Sequence, residues 1–245
     1  MRLPLLSGVV FAILCGAAGA QEQPAMHAPD GSTRERPESL VILPKTNAPF
    51  SATVTTEWTR ILVDSTSQTN WNHRTIARDS SGRVFEERRY FTPTGNQETT
   101  MLTERDYRDP NRRERYICMT AQRVCFVSPF SAPESVNLMP AGNLPGGRGT
   151  VTREELGRKT IEDIEVIGSR ESITLNAGSV GNEKAEPIVK EFWYSPRLGI
   201  NVITKRFDPR FGVQNFTVSN INQSEPDPKL FEPPADYRVV MMNGQ

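Results

Sequence analysis

The chain has 245 residues, 36% hydrophobic and 24% charged, and its 29 Lys and Arg balance 29 Asp and Glu. A balanced charge excludes the basic excess that nucleic-acid binding exchanges for counterions. Two His and three Cys are too few for a His-rich or Cys-rich metal cluster.

Residues 1–20 read as a secretory signal peptide. Arg2 is the positive start, Leu5 to Leu14 is an uncharged apolar run, and Ala18-Gly19-Ala20 ends on small residues before Gln21. The run falls short of the roughly 20 residues that a spanning helix needs. An uncleaved anchor is the alternative. A lipoprotein reading through Cys15 is opposed by Leu14, where a small residue belongs. Cleavage removes one cation and no acid, leaving a net charge of −1. No later segment is apolar enough to cross a membrane, so the expected location is the periplasm or the exterior. In that oxidising setting Cys118 and Cys125 are an even pair, and they flank a short turn between strand-like triplets. A cross-strand disulfide is expected, contributing roughly 2.5 kcal/mol through loop entropy. A redox pair is the alternative; the spacing is not C-x-x-C, and no local feature lowers a thiol pKa.

Residues 21–48, with Pro24, Pro29, Pro37 and Pro44, read as a flexible linker, in which Leu40-Val41-Ile42-Leu43 is suited to dock as an edge strand. A single β-rich domain is expected over residues 49–240, with a tail at 241–245. Phe50, Ala52, Val54, Trp58 and Leu62 alternate with Thr53, Thr55, Glu57 and Thr59, the period of a half-buried strand. Asp79-Ser80-Ser81-Gly82 is a turn between strands Trp71–Arg78 and Arg83–Phe91. Pro93-Thr94-Gly95-Asn96 is the next turn, and Thr99–Glu104 the next strand. Residues 128–149 hold four Pro and four Gly and read as a long loop, of the sort that serves as a flap or stays unordered. Thr150–Leu156, Ile161–Gly168 and Arg170–Leu175 are strands, although Arg153–Leu156 also has helical propensity. Ile188–Ser195, Gly199–Phe207 and Val213–Ile221 form a meander. The fold class is therefore mainly β: a curved antiparallel sheet or open half-barrel of hairpins, one face wet and one dry.

Chemistry is sparse. His73 lies in a strand, His27 in the linker, and there is no G-x-S-x-G elbow. The pairs Glu86-Glu87, Glu154-Glu155 and Glu162-Asp163 alternate across a strand and cannot converge unaided, so solvated charge is the simpler reading. Arg83, Arg88 and Arg89, with Arg108, Arg112, Arg113 and Arg115, are interleaved with acids. They make either a mixed-sign surface or a contact for an anionic headgroup or a partner's carboxylate. Trp58, Trp71, Phe85, Tyr90, Phe91, Phe192, Trp193, Tyr194 and Phe216 all fall in predicted strands. A curved sheet without a facing helix would leave an apolar concave face open to lipid or protein. Asn215 and Asn222 open N-x-[ST] sequons.

Several motifs carry a resemblance. They are Arg78-Asp79-Ser80-Ser81-Gly82-Arg83 with Glu87, Glu155-Leu156-Gly157-Arg158-Lys159-Thr160-Ile161 with Gly168-Ser169-Arg170, Glu191-Phe192-Trp193-Tyr194-Ser195-Pro196, Asp208-Pro209-Arg210-Phe211-Gly212, and Glu225-Pro226-Asp227-Pro228-Lys229-Leu230-Phe231 with Pro234 and Tyr237. Together they resemble a group of uncharacterised secreted bacterial β-rich proteins over most of residues 48–240. More distantly, the meander and the Phe–Pro–Tyr ending are similar to the periplasmic lipoprotein-carrier (LolA/LolB-like) open-barrel superfamily. That resemblance implies an unclosed barrel whose concave face covers helices or holds an acyl chain. This chain lacks such helices and adds the disulfide hairpin.

The expected function is an exported, non-enzymatic binding protein for an apolar or lipid ligand or a lipidated partner. The tentative surface is Trp58, Trp71, Phe192, Trp193, Tyr194, Arg83 and Arg88. A cell-envelope sensor or interaction module with a protein partner is the second reading. A hydrolase with an unassigned site is the third. No cofactor, nucleic acid or metal is expected.

Overall fold

The structure is a computed structural model, and it describes residues 40–95, 100–131 and 141–242. The leader with Cys15, the linker as far as residue 39 with His27, the middle of the 128–149 loop and the last three residues lie outside the described residues.

The strands are β1 (Phe50–Ile61), β2 (Ser67–Arg78), β3 (Val84–Arg89), the two-residue β4 (Thr92–Pro93), β5 (Leu102–Asp109), β6 (Glu114–Met119) and β7 (Val124–Pro129). They continue as the two-residue β8 (Gly142–Asn143), β9 (Gly149–Ile161), β10 (Ile164–Leu175), β11 (Glu186–Ser195), β12 (Ile200–Asp208), β13 (Gly212–Asn222) and β14 (Arg238–Met241). All fourteen belong to one sheet, ordered β14-β7-β6-β5-β3-β2-β1-β13-β12-β11-β10-β9-β8, with β4 beside β2. Only β14, which lies parallel to β7, breaks the antiparallel pattern. The sheet does not close, so the mainly β, open curved architecture expected from the alternation is the one found.

Local chemistry sets the turns. After β2, the Asp79 carboxylate accepts the Ser81 and Arg83 N–H groups at 3.0 and 2.8 Å, and Gly82 takes φ +90°. After β12, Gly212 also takes φ +90°, and a Cβ there would overlap the Thr59 carbonyl. That close approach seats the β12–β13 turn against the end of β1.

Residues 153–156 are extended within β9, as the strand reading of Thr150–Leu156 has it; the cross-strand pairs Arg153–Glu171 and Arg170–Glu154 and the ladder to β10 outweigh helical propensity. Three expectations are corrected. The separate strands 161–168 and 170–175 are one strand, β10. It starts at Ile164 because Glu162 and Asp163 turn the hairpin with positive φ, and it runs through Gly168, where the Trp193 ring takes the room of a side chain. Residues 40–48 belong to no strand, yet Leu40 and Ile42 are fully buried, so the end of the supposed linker is core. Finally, the sheet does not have one wet and one dry face.

Its two faces carry separate apolar clusters. On the inner face Leu40 and Ile42 pack with Phe50, Val54, Ile76, Val84, Ile164, Val166, Leu198, Ile200, Val202 and Val218. On the other face Ala77, Phe85, Tyr107, Cys118 and Cys125 pack with Phe231, which the helical turn Pro228–Phe231 supplies. The Cys118–Cys125 disulfide joins the directly opposed residues of the β6–β7 hairpin, as the cysteine spacing suggests, and both are fully buried.

Replacing both cysteines (Cys118→Ala/Cys125→Ala) is expected to lower the unfolding free energy by roughly 2.5 kcal/mol, read from urea denaturation. Intact-mass analysis without reductant should find the natural chain two hydrogens lighter than its dithiol form.

Candidate functional site

The inner face is fixed by register. Phe50, Ala52, Val54 and Thr56 on β1 lie opposite Arg78, Ile76, Arg74 and Asn72 on β2. Ile76 and Arg78 lie opposite Glu86 and Val84 on β3, and these opposite Asp106 and Arg108 on β5. One face thus carries an apolar basin at the β1 start and, beside it, a row of charge.

The basin is covered. Residues 40–48 lie over it as an irregular strap, joined by the turn that carries Leu198. Arg78, fully buried, fastens both: it donates from Nε and Nη2 to the Ala48 carbonyl at 3.0 and 2.7 Å, from Nη1 to that of Leu43 at 3.0 Å, and from Nη2 to that of Leu198 at 2.6 Å. Its guanidinium also sits 5.1 Å from the Phe50 ring centre. Burial lowers its pKa to about 10, against a smaller opposing influence of Tyr194, so it stays a cation at neutral pH. Lys45 ties the strap to the same turn, donating to the Pro196 and Arg197 carbonyls at 2.8 and 3.0 Å.

The row of charge is a buried ladder. Arg74 Nη1 donates to Glu86 Oε1 at 3.1 Å, Arg108 bonds the other Glu86 oxygen and also Asp106, and Arg115 clamps Asp106 with two bonds of 3.0 and 2.7 Å. Those hydrogen bonds hold Arg115 above its ordinary pKa despite the opposing effect of burial. Arg108 reaches the Ile42 carbonyl at 3.3 Å, so the ladder touches the strap. Glu86 and Asp106 are buried, which corrects the reading of the Glu86-Glu87 pair as solvated charge. Arg74 and Arg78 have no place among the candidate residues. Their signal was the period: they share inner-face parity with Ile76, and a buried face can take an arginine only where acceptors meet it.

The candidate surface is divided. Trp58 is buried on the inner face and donates its Nε1–H to the Phe211 carbonyl at 2.9 Å. Phe192 shares that face by register through Thr204 and Phe216. Trp71 is on the opposite face, 4.3 Å from the ring of His73. Trp193 donates to Glu191 at 2.9 Å beneath the Lys159 ammonium, 3.5 Å from its ring centre, and Tyr194 is exposed. Arg83 is paired with Asp79 and lies 5.0 Å from the Phe231 ring centre, while Arg88 is paired with Glu104. The face that the strap covers is thus not an open apolar surface: one end is filled by the strap and the other is ionic.

His73 Nδ1 meets Thr55 Oγ1 at 2.9 Å on an exposed part of the sheet, without a carboxylate bonded to its ring. Among the described residues no cluster of His, Cys, Asp and Glu is fit to hold a metal ion. No described helix is long and apolar enough to cross a membrane.

No family model matches the chain, and no curated protein matches it in sequence. Solved structures similar in fold include the following three. MucB of Pseudomonas aeruginosa, solved with MucA, is 12% identical, with a TM-score of 0.40 over 80% of this chain and 59% of that one. The chain therefore spans less than two thirds of MucB. The Mycobacterium tuberculosis lipoprotein LppX is 15% identical, with a TM-score of 0.31 over 72% and 88%. A Vibrio parahaemolyticus domain named for outer membrane lipoprotein sorting is 9% identical, with a TM-score of 0.20 over 75% and 89%. These are distant likenesses of fold.

Two substitutions test the ladder and the turn. Asp106→Asn leaves two guanidinium groups without their buried carboxylate, and a loss of about 3–5 kcal/mol is expected by chemical denaturation. Asp79 is a pH probe. Burial raises its pKa, but the hydrogen bonds from Arg83 and Ser81 together outweigh that and leave it lowered. Its stabilisation is therefore full above the unfolded value, near pH 4, and is lost as pH falls through the lower folded value. The stability gap between the natural chain and Asp79→Asn should be widest at neutral pH and close in acid.

Proposed function

We propose that this chain is an exported, non-enzymatic binding protein that holds an acyl chain or a lipidated partner on the inner face of its sheet. The carrying observation is the strap. Leu40 and Ile42 are buried among strand side chains as a ligand's apolar groups would be, although no residue of 40–48 is in a strand. What fastens the strap is chiefly side-chain donors, from Arg78, Arg108 and Lys45, with one backbone bond from Asn47 to Ser80. Such a cover leaves without dismantling a strand ladder, and it vacates a basin already lined by Phe50, Val54, Ile76 and Val202. The leader-like residues 1–20 support export.

Leu40→Ser/Ile42→Ser weakens the cover without touching the basin. A fluorescent fatty acid is expected to bind the natural chain and to bind the variant about tenfold more tightly or better, since each side chain's burial is worth about 1.5–3 kcal/mol. Native mass spectrometry after detergent-free purification should find lipid on the natural chain. If neither chain takes up the probe and no lipid is carried, the reading fails.

A protein-docking reading has one observation in its favour. β14 is an outermost strand whose Arg238 and Met242 N–H groups turn inward to β7, so by alternation the N–H of Val239 points outward, and Val239 and Met241 are exposed. An extended partner segment added there would protect the Val239 amide from hydrogen exchange, whereas lipid in the basin would not.

A further inference from the structure

The edge of the sheet away from β14 is mostly uncovered. The two-residue β8 pairs there with Thr150 and Val151 alone. Residues 152–161 of β9 are bonded to β10 on one side and to no strand among the described residues on the other. All of them but Leu156 and Ile161 are exposed. Charge on an edge strand ordinarily keeps other strands away, and this stretch reads Arg153-Glu154-Glu155-Leu156-Gly157-Arg158-Lys159. Its charges are nevertheless ordered for one partner. Two acids precede the centre and two bases follow it. An antiparallel copy of the strand therefore sets Glu155 opposite Arg158 and Glu154 opposite Lys159, twice over.

Faces, backbone polarity and length all permit that register. In an unbroken strand, residues an odd number apart lie on opposite faces and could not meet across a two-fold axis. β9 is broken by a bulge: Glu155 lies opposite Ser169 and Gly157 opposite Gly168, with Leu156 extra. Beyond it the alternation is reset. Glu155 and Arg158 lie opposite Ser169 and Ile167, on one face, and Glu154 and Lys159 opposite Arg170 and Val166, on the other. The backbone agrees. The Arg148 carbonyl accepts from Asn176 on the β10 side and that of Gly149 from Leu144 on the β8 side. By alternation Arg153 and Glu155 turn their N–H and C=O outward. The two-residue turn Glu162-Asp163, with positive φ at both, makes Ile161 and Ile164 a bonded pair. Arg158 and Thr160 therefore also turn theirs outward, and in this register they meet Glu155 and Arg153. Lastly, the register sets Thr152 opposite Ile161, the two limits of the uncovered stretch. A second β9 fits between β8 and the Glu162-Asp163 turn without displacing either.

We infer that two copies of this chain pair antiparallel through residues 152–161 of β9, about a two-fold axis at the Leu156–Gly157 bulge, so that one sheet continues into the next. The charges already beside the edge suit this. Arg158 is bonded to Glu165 at 2.7 Å and would stand between that acid and the second copy's Glu155. Glu154 is bonded to Arg170 at 2.8 Å and would stand between that base and the second copy's Lys159, whose ammonium lies over Trp193. No like charges are directly opposite. The one like diagonal, Arg153 with the second copy's Arg158, is flanked by Glu171, 3.0 Å from Arg153, and by Glu165. The inference is independent of the basin's ligand, since it concerns an outer strand edge.

Sedimentation velocity of the purified chain across the micromolar range is expected to show a monomer–dimer equilibrium. Glu155→Arg and Arg158→Glu each set like charges opposite one another twice per dimer, and each should weaken association at least about tenfold. Mixed in equal amounts, the two variants carry complementary edges, and a heterodimer about as tight as the natural dimer is expected. A merely destabilised fold would not be rescued by mixing. Both side chains are exposed, so each variant should fold, as circular dichroism would confirm. In the natural dimer the Glu155 and Arg158 amides should exchange more slowly than in the monomer and the Val239 amide should not, which separates this edge from β14. A natural chain that stays monomeric, single variants that dimerise as well as it does, or a mixture that fails to associate overturns the junction. Fatty-acid uptake should be equal in both variants and the natural chain, which keeps this failure distinct from failure of the basin reading.

Discussion

A guanidinium inside an apolar sheet face must find acceptors or be expelled, and much of this structure follows from how Arg78 finds its own. No carboxylate shares its position; Leu43, Ala48 and Leu198 supply backbone carbonyls instead. Each of those carbonyls belongs to a segment outside the regular ladder, where it would otherwise need another donor. One side chain therefore satisfies itself and the strap together. The apolar contacts of Leu40 and Ile42 then fall into place over the basin. Release of the strap would exchange two of Arg78's carbonyl acceptors, those of Leu43 and Ala48, for water, and loss of Arg78 would leave three carbonyls buried or forced out to water.

The same rule shapes the other half of the inner face by a different solution. Arg74, Arg108 and Arg115 meet Glu86 and Asp106 in a chain of charge-assisted bonds across β2, β3, β5 and β6. A ladder of this kind adds little net stability over a well-packed apolar row, because its desolvation cost is high. It does fix strand register, since a one-residue slip would put every charge on the wrong face. A sheet with no helix on its inner face among the described residues has need of such pinning. On the opposite face, the disulfide and the Phe231 turn anchor the strands at the β14 edge.

The alternation over residues 50–62, the Asp79 turn, the meander at 188–221 and the cysteine hairpin were all legible, because strand period and turn chemistry are local. The burial of Leu40 and Ile42 was not. It depends on Arg78, whose role is visible only once strand register places it opposite Phe50. The acids Glu86 and Asp106 misled for a related reason: charge in a strand reads as the wet face, and only pairing across three strands shows that this row is dry. Among the tentative surface residues, Trp58 and Phe192 share a face by parity and register. Trp71 does not, because thirteen positions after Trp58, across a hairpin, its parity is reversed.

The basin and the exposed apolar residues Ile61, Leu62 and Val63 occupy opposite ends of β1. Phe50 floors the first and Ile61 opens the second, roughly 36 Å apart at the usual rise of a strand. Between them the inner face is not a continuous apolar track. Thr56 and Asn72 are buried side by side, and Thr56 Oγ1 and Asn72 Oδ1 have no hydrogen-bond partner. That polar pair divides the apolar basin from the rest of β1. The shorter approach to the basin is at the end where the strap lies, so under the binding reading exchange at the basin waits on release of the strap.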